Sequence, residues 1–115
     1  MYPLILHKSL TSEKWSSYSK GQQILMIANE LNRAKNWIVK EENKEVNFAY
    51  ERVFELIDLS IEDPKWGIGL KELLRLREII GMLYLEPKKD IQFNKLCYSS
   101  LIAFSHESYN LMNGK

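Results

Sequence analysis

Cysteine is nearly absent from this sequence, with Cys97 alone among 115 residues. One thiol excludes an intramolecular disulfide, and its place inside a helical pattern reads as a small buried hydrophobe in a reducing cytosol. Histidine is almost as scarce, represented by His7 and His106 alone. A carboxylate-bridged di-metal bundle draws on two Glu-x-x-His pairs, and His106 has no glutamate three residues before it. A zinc site needs four ligands, which one cysteine and two distant histidines do not supply. Cys97 and His106 are also poorly placed for nucleophilic catalysis, since nine residues along one helix separate them by about 13 Å. No metal and no cofactor is therefore expected, and the chain does not read as an enzyme.

Charge of one sign is missing too. Sixteen Lys plus Arg stand against fifteen Asp plus Glu, a formal net charge of +1, so no bulk excess draws the chain to nucleic acid or an anionic membrane. No window approaches the roughly 18 consecutive apolar residues of a membrane span. Near the start, Pro3-Leu4-Ile5-Leu6 is a short apolar run without a basic stretch before it or a small-residue cleavage site after it, unlike a signal peptide. A soluble cytoplasmic protein is the expectation. Strand alternation, internal repeats and low-complexity linkers are absent, and Gly67-Ile68-Gly69 is too short to signal a nucleotide loop.

What the sequence does contain is helical periodicity. Thr11 or Ser12 is placed to cap one short turn carrying Trp15 and Tyr18, and Ser19 with Gln22 has the form of a capping box. The first long helix then runs through Ile24, Ile27, Ala28, Leu31, Ala34 and Ile38, with Lys35 breaking the stripe and Met26, Trp37 and Val39 off it. Glu41 to Lys44 breaks the pattern, and Asn43 is a candidate N-cap. A second helix carries Val46, Ala49, Tyr50, Val53, Phe54, Ile57 and Ile61 and stops before Pro64. In the third, Leu70, Leu73, Leu74, Ile80 and Tyr84, with Leu76, Ile79 and Leu83 beside them, make an apolar face so wide that this helix is expected to be the most buried. Glu86 to Lys89 ends it, and Asp90 is placed to cap a fourth helix running to Tyr109.

Short breaks turn neighbouring helices antiparallel, which predicts an all-α, up-down-up-down four-helix bundle. Residues 1–18 form an N-terminal segment packing on or across it, 19–112 the bundle, and 113–115 a tail. The pairs Glu30/Arg33 and Glu72/Arg75, at i and i+3, and the adjacent Glu51-Arg52 and Arg77-Glu78 read first as surface ion pairs. Arg75 and Arg77 also straddle the wide apolar face, where an arginine anchors a partner's acidic groups or RNA phosphate. Trp15, Tyr18, Trp37 and Trp66 fall at or off the edges of the stripes, positions suited to core lids or partner anchors. The Met26, Trp37 and Val39 side of the first helix would suit another helix. Met26, Trp37, Trp66, Arg75 and Arg77 are thus the expected partner-binding residues.

From Ser19 to Tyr109 the chain resembles the flagellin-export chaperone family. The likeness lies in the helix lengths, in the charged turn Lys40-Glu41-Glu42-Asn43-Lys44-Glu45 and in Lys88-Lys89-Asp90-Ile91 before the last helix. In place of that family's Ser-Pro opening and Leu-Tyr-Asp-Gly-like run, this chain reads Ser19-Lys20-Gly21-Gln22-Gln23, and no binding residues carry over. The resemblance implies a non-enzymatic, cytoplasmic bundle whose interhelical grooves receive a partner's amphipathic segments. The alternative is a bundle similar to the HEPN superfamily, toxin–antitoxin-related or RNA-binding. Arg33, Arg52, Arg75 and Arg77 lack a histidine four to six residues on, which disfavours that family's nuclease chemistry. A third reading is a homodimer that buries its spare apolar stripe against itself.

Overall fold

Helix starts in this chain are set by short-range side-chain chemistry. In the computed structural model, which describes residues 10–67 and 69–104, Thr11 Oγ1 accepts a hydrogen bond from the Lys14 amide at 3.0 Å and opens α1 (Ser12–Ser16). The Ser19 hydroxyl accepts from the Gln22 amide at 3.1 Å while Gln22 Oε1 accepts from the Ser19 amide at 2.9 Å, the reciprocal box that opens α2 (Lys20–Val39). Asp90 Oδ1 accepts from the Phe93 amide at 3.0 Å and opens α5 (Ile91–Ala103). Between them lie α3 (Asn43–Ile61) and α4 (Leu70–Leu85), with a 3₁₀ turn at Pro64–Trp66. Among the described residues the chain is all-helical, with four long helices and one short one. His7, His106, Tyr109 and the expected tail at 113–115 lie outside them.

Asn43 corrects one expectation. It is the first residue of α3 rather than its cap, and its side-chain amide instead donates to the Pro87 carbonyl at 2.9 Å, tying the α2–α3 turn to the α4–α5 turn. The α2–α3 turn itself is a Schellman closure: the Glu42 amide donates to Trp37 O and the Glu41 amide to Ile38 O, both at 3.0 Å. It puts Glu41 at φ 58, a left-handed conformation that usually goes to glycine.

The core is centred on α2 and α3, which pack along their length; α5 lies against α2, and α4 against α3. Ile24, Ile27 and Leu31 of α2 meet Tyr50, Val53 and Ile57 of α3 with no exposed surface. Trp15 belongs to this core, with its indole N–H donated to the Ser60 hydroxyl at 3.0 Å, so it is neither a lid nor an anchor. At the other side, the Asn94 amide donates to Leu31 O and its carbonyl accepts from the Tyr50 hydroxyl, which fixes α5 on α2.

The expectation for α4 is overturned. Only Leu73, Ile80 and Leu83 of this helix are buried, whereas Leu74, Met82 and Leu85 are 45%, 66% and 79% exposed. Its apolar face is as wide as the sequence indicates, but α3 covers one strip of it. Among the described residues no second helix closes on the rest, because α4 and α5 do not pack closely backbone to backbone as the other sequential long helices do.

A candidate helix-binding groove between α4 and α5

The open seam between α4 and α5 is apolar on both sides. Residues at helical spacing on α4, Arg75, Leu76 and Ile79, face Phe93, Leu96 and Cys97 of α5 across a trough of about 250 Å³. At one end lies a second space of about 230 Å³ walled by Trp66, Leu73, Leu101 and Phe104. Glu72, Leu76 and Ser100 border both spaces, so the two are adjacent along the seam. Leu96, at 62%, and Phe93, at 43%, are the apolar side chains of α5 left most open to solvent along it.

The two arginines have separate tasks. Arg77 is committed to the fold: its guanidinium donates to Asp58 Oδ1 at 2.8 Å and Oδ2 at 3.1 Å and lies 5.0 Å from the Phe54 ring centre, holding α4 to α3. Arg75 is exposed at the rim of the groove and forms no ion pair with a described residue. Met26 and Trp37 are partly buried on α2, packed against the core edge, with the Lys40 ammonium 5.1 Å from the Trp37 ring centre. They do not border the α4–α5 groove. Val39 beside them is exposed.

Trp66 is corrected as an exposed anchor. It is 1% exposed, its indole N–H donates to Gln23 Oε1 at 2.6 Å, and its ring stacks on that of Phe104, 6.0 Å away, so it underlies the end of the groove without presenting a face to it. The Glu30/Arg33 pair is present at 3.3 Å, but Arg52 reaches the same carboxylate at 2.9 Å, making it a bridge between α2 and α3 rather than a surface pair.

The one thiol of the groove is held protonated at neutral pH. Burial pushes the Cys97 thiol up to about 11, which leaves no appreciable thiolate for nucleophilic attack. Among the described residues no group of three or more His, Cys, Asp or Glu is arranged to hold a metal, and no helix is long and apolar enough to cross a membrane. The arrangement can take up apolar surface, with Arg75 and Glu72 supplying charge at its edge.

Sequence periodicity indicates the α4 half of this site through Leu76 and Ile79, but not Phe93 and Leu96. The signal for these two was that α5 is apolar around most of its circumference, from Ile91 and Phe93 through Leu96, Tyr98 and Leu101. A short helix with more apolar faces than one core can use has a second surface to cover. No family model matches the chain, and no curated protein or solved structure matches it either.

Proposed function

We propose that this protein is a non-enzymatic, cytoplasmic binding module, built as an up-down-up-down bundle with its α4–α5 seam open, that receives an amphipathic helical segment of a partner protein in that seam. The observation carrying this reading is the pair of adjacent apolar spaces between two helices whose neighbours are otherwise closely packed. A helix-in-groove partner carries apolar anchors at i, i+3, i+4 and i+7, and Leu76 and Ile79 of α4 with Phe93, Leu96 and Cys97 of α5 supply the apolar surface such anchors would meet. The role accords with the resemblance to export chaperones, which shelter aggregation-prone helical ends. RNA is the weaker occupant, since Arg75 is balanced at the rim by Glu72.

A second reading is favoured by a separate observation. Leu74, Met82 and Leu85 on α4 are exposed and do not border the groove, so a second copy of the chain is a competing partner for that face.

The test is fluorescence anisotropy with an 18-residue amphipathic helical peptide bearing a leucine face. Saturable binding is expected, weakened at least about tenfold by Ile79→Asp with Leu96→Asp, because each apolar side chain left unburied forfeits about 1.5–3 kcal/mol. Val39→Asp, on the far helix, should leave it unchanged. Equal affinity for all variants would contradict the groove.

A further inference from the structure

The seam between α2 and α5 holds a cleft that the helix-binding groove does not use. Asn32 and Lys35 of α2 face Lys95, Tyr98 and Ser99 of α5 across about 330 Å³. Its floor is fixed, since Leu31 and Asn94 have no exposed surface and the Asn94 amide donates to Leu31 O at 2.9 Å. No residue borders both this cleft and the α4–α5 seam, so the two lie on different sides of α5 and stand independently.

What distinguishes the cleft is positive charge without a counterion. Lys35 interrupts the apolar stripe of α2 and is half-buried there, at a register where an aliphatic residue would serve packing better. Lys95 is the only charged residue of α5. Neither ammonium forms an ion pair with a described residue. No carboxylate lines the cleft, α5 contains none, and Glu30, the one carboxylate of α2, is already held by Arg33 and Arg52. Two ammoniums brought to one cleft by separate helices repel each other, and an anion between them turns that repulsion into attraction.

The donors narrow the choice of anion. Each ammonium carries three N–H groups, and the exposed Asn32 amide and Ser99 hydroxyl stand at the same cleft. A carboxylate brings one charge and two oxygens to this set, whereas a phosphate monoester brings nearly two charges and three strong acceptor oxygens. A nucleic-acid strand fits less well, because its affinity comes from neutralising a run of phosphates and this cleft offers two cations. The space exceeds the roughly 150 Å³ that accepts a benzene ring, which leaves room for an organic group beside Tyr98.

We propose that the α2–α5 cleft is a binding site for a small phosphate monoester, with the phosphoryl group between Lys35 and Lys95. The test follows backbone amide shifts while phenyl phosphate, or benzoate as the singly charged control with the same ring, is added at constant ionic strength. The pH is held near 7.5, above the second phosphate pKa of about 6. Saturable shifts at residues 31–35 and 94–99 are expected with phenyl phosphate, and benzoate should bind at least about tenfold more weakly. Lys95→Gln, at an exposed position that leaves the core untouched, should weaken phenyl phosphate at least about fivefold, and adding Lys35→Gln should abolish saturation. Lys71→Gln on α4 should change nothing. Equal affinity for benzoate overturns the phosphate assignment. Unchanged affinity in Lys95→Gln, or shifts as large around Lys71 and Lys88 as in the cleft, overturns the site. A single-stranded RNA that saturates the same amides at lower concentration than phenyl phosphate overturns the small ester in favour of a strand.

Discussion

Gln23 has no exposed surface, and it ties both α1 and the distant Asp63–Trp66 turn to α2. Its amide donates to Trp15 O at 2.8 Å and Asp63 Oδ2 at 3.1 Å, and its carbonyl accepts from the Trp66 N–H. Gln23→Leu keeps the apolar bulk but strands these groups, which should cost about 2–3 kcal/mol in a urea titration. Asp63 gives the same cluster a pH signature. Burial alone would raise its carboxyl, but hydrogen bonds from the Lys65 ammonium, Gln23 and the Lys65 amide, together with the Lys65 charge, outweigh this and hold it below its ordinary 3.8. The folded chain therefore favours the ionised form. Its contribution is complete above pH 3.8 and is lost as pH falls through the lower folded value. Asp63→Asn should lower stability at neutral pH and flatten the wild-type decline in acid; an unchanged acid slope would remove Asp63 from the account. At Glu41 the strain is local, and Glu41→Gly should stabilise by on the order of 0.5 kcal/mol, as relief of the left-handed conformation exceeds the added chain entropy. Sequence reading at this scale succeeds over three residues and fails over forty. Thr11, Ser19 and Asp90 cap within their own turn, whereas the partners of Gln23 at Asp63 and Trp66 are defined only by the fold.

At the scale of the element, α4 is the exception among the long helices. Its sequence makes a wide apolar face, and width alone suggested deep burial. Burial depends instead on how closely neighbours close on a helix, and among the described residues α3 alone packs along this one, less extensively than α2 packs along α3 or α5. Two contacts fasten it there, Arg77 to Asp58 and the Tyr84 hydroxyl donating to Glu51 at 2.7 Å, while the Lys89 ammonium, in the turn that follows, donates to the terminal carbonyls of Leu83 and Tyr84 and closes the helix's own C-terminus. Gly81, inside the helix, adds nothing to packing, since a Cβ built on it meets nothing within 4 Å. Gly81→Ala should stabilise the protein by about 0.5–1 kcal/mol through helix propensity and a less flexible unfolded chain. Leu73→Ala, at a position only 2% exposed, should cost about 2–5 kcal/mol. By contrast Met82→Lys, at a solvent-facing site, should stay within about 0.5 kcal/mol, read from the same unfolding curves.

For the whole molecule, number, order and approximate length of the helices are legible because each depends on periodicity and breaks within one stretch of chain. Which pair of helices stays apart is not, because it depends on how α4 and α5 are seated by α3 and α2, through contacts such as Asn94 to Leu31 and Asn43 to Pro87. The expected binding residues divide accordingly. Arg75 borders the groove, Trp66 is buried beneath its end against Phe104, Arg77 holds α4 in place, and Met26 with Trp37 belongs to a different face on α2. That division gives the most direct test of the central claim, which is hydrogen exchange of the protein with and without a saturating leucine-faced amphipathic peptide. Slowed exchange confined to Leu70–Leu85 and Ile91–Ala103 is the predicted result. Protection centred on the Met26 to Val39 face of α2, or none at all, would contradict it.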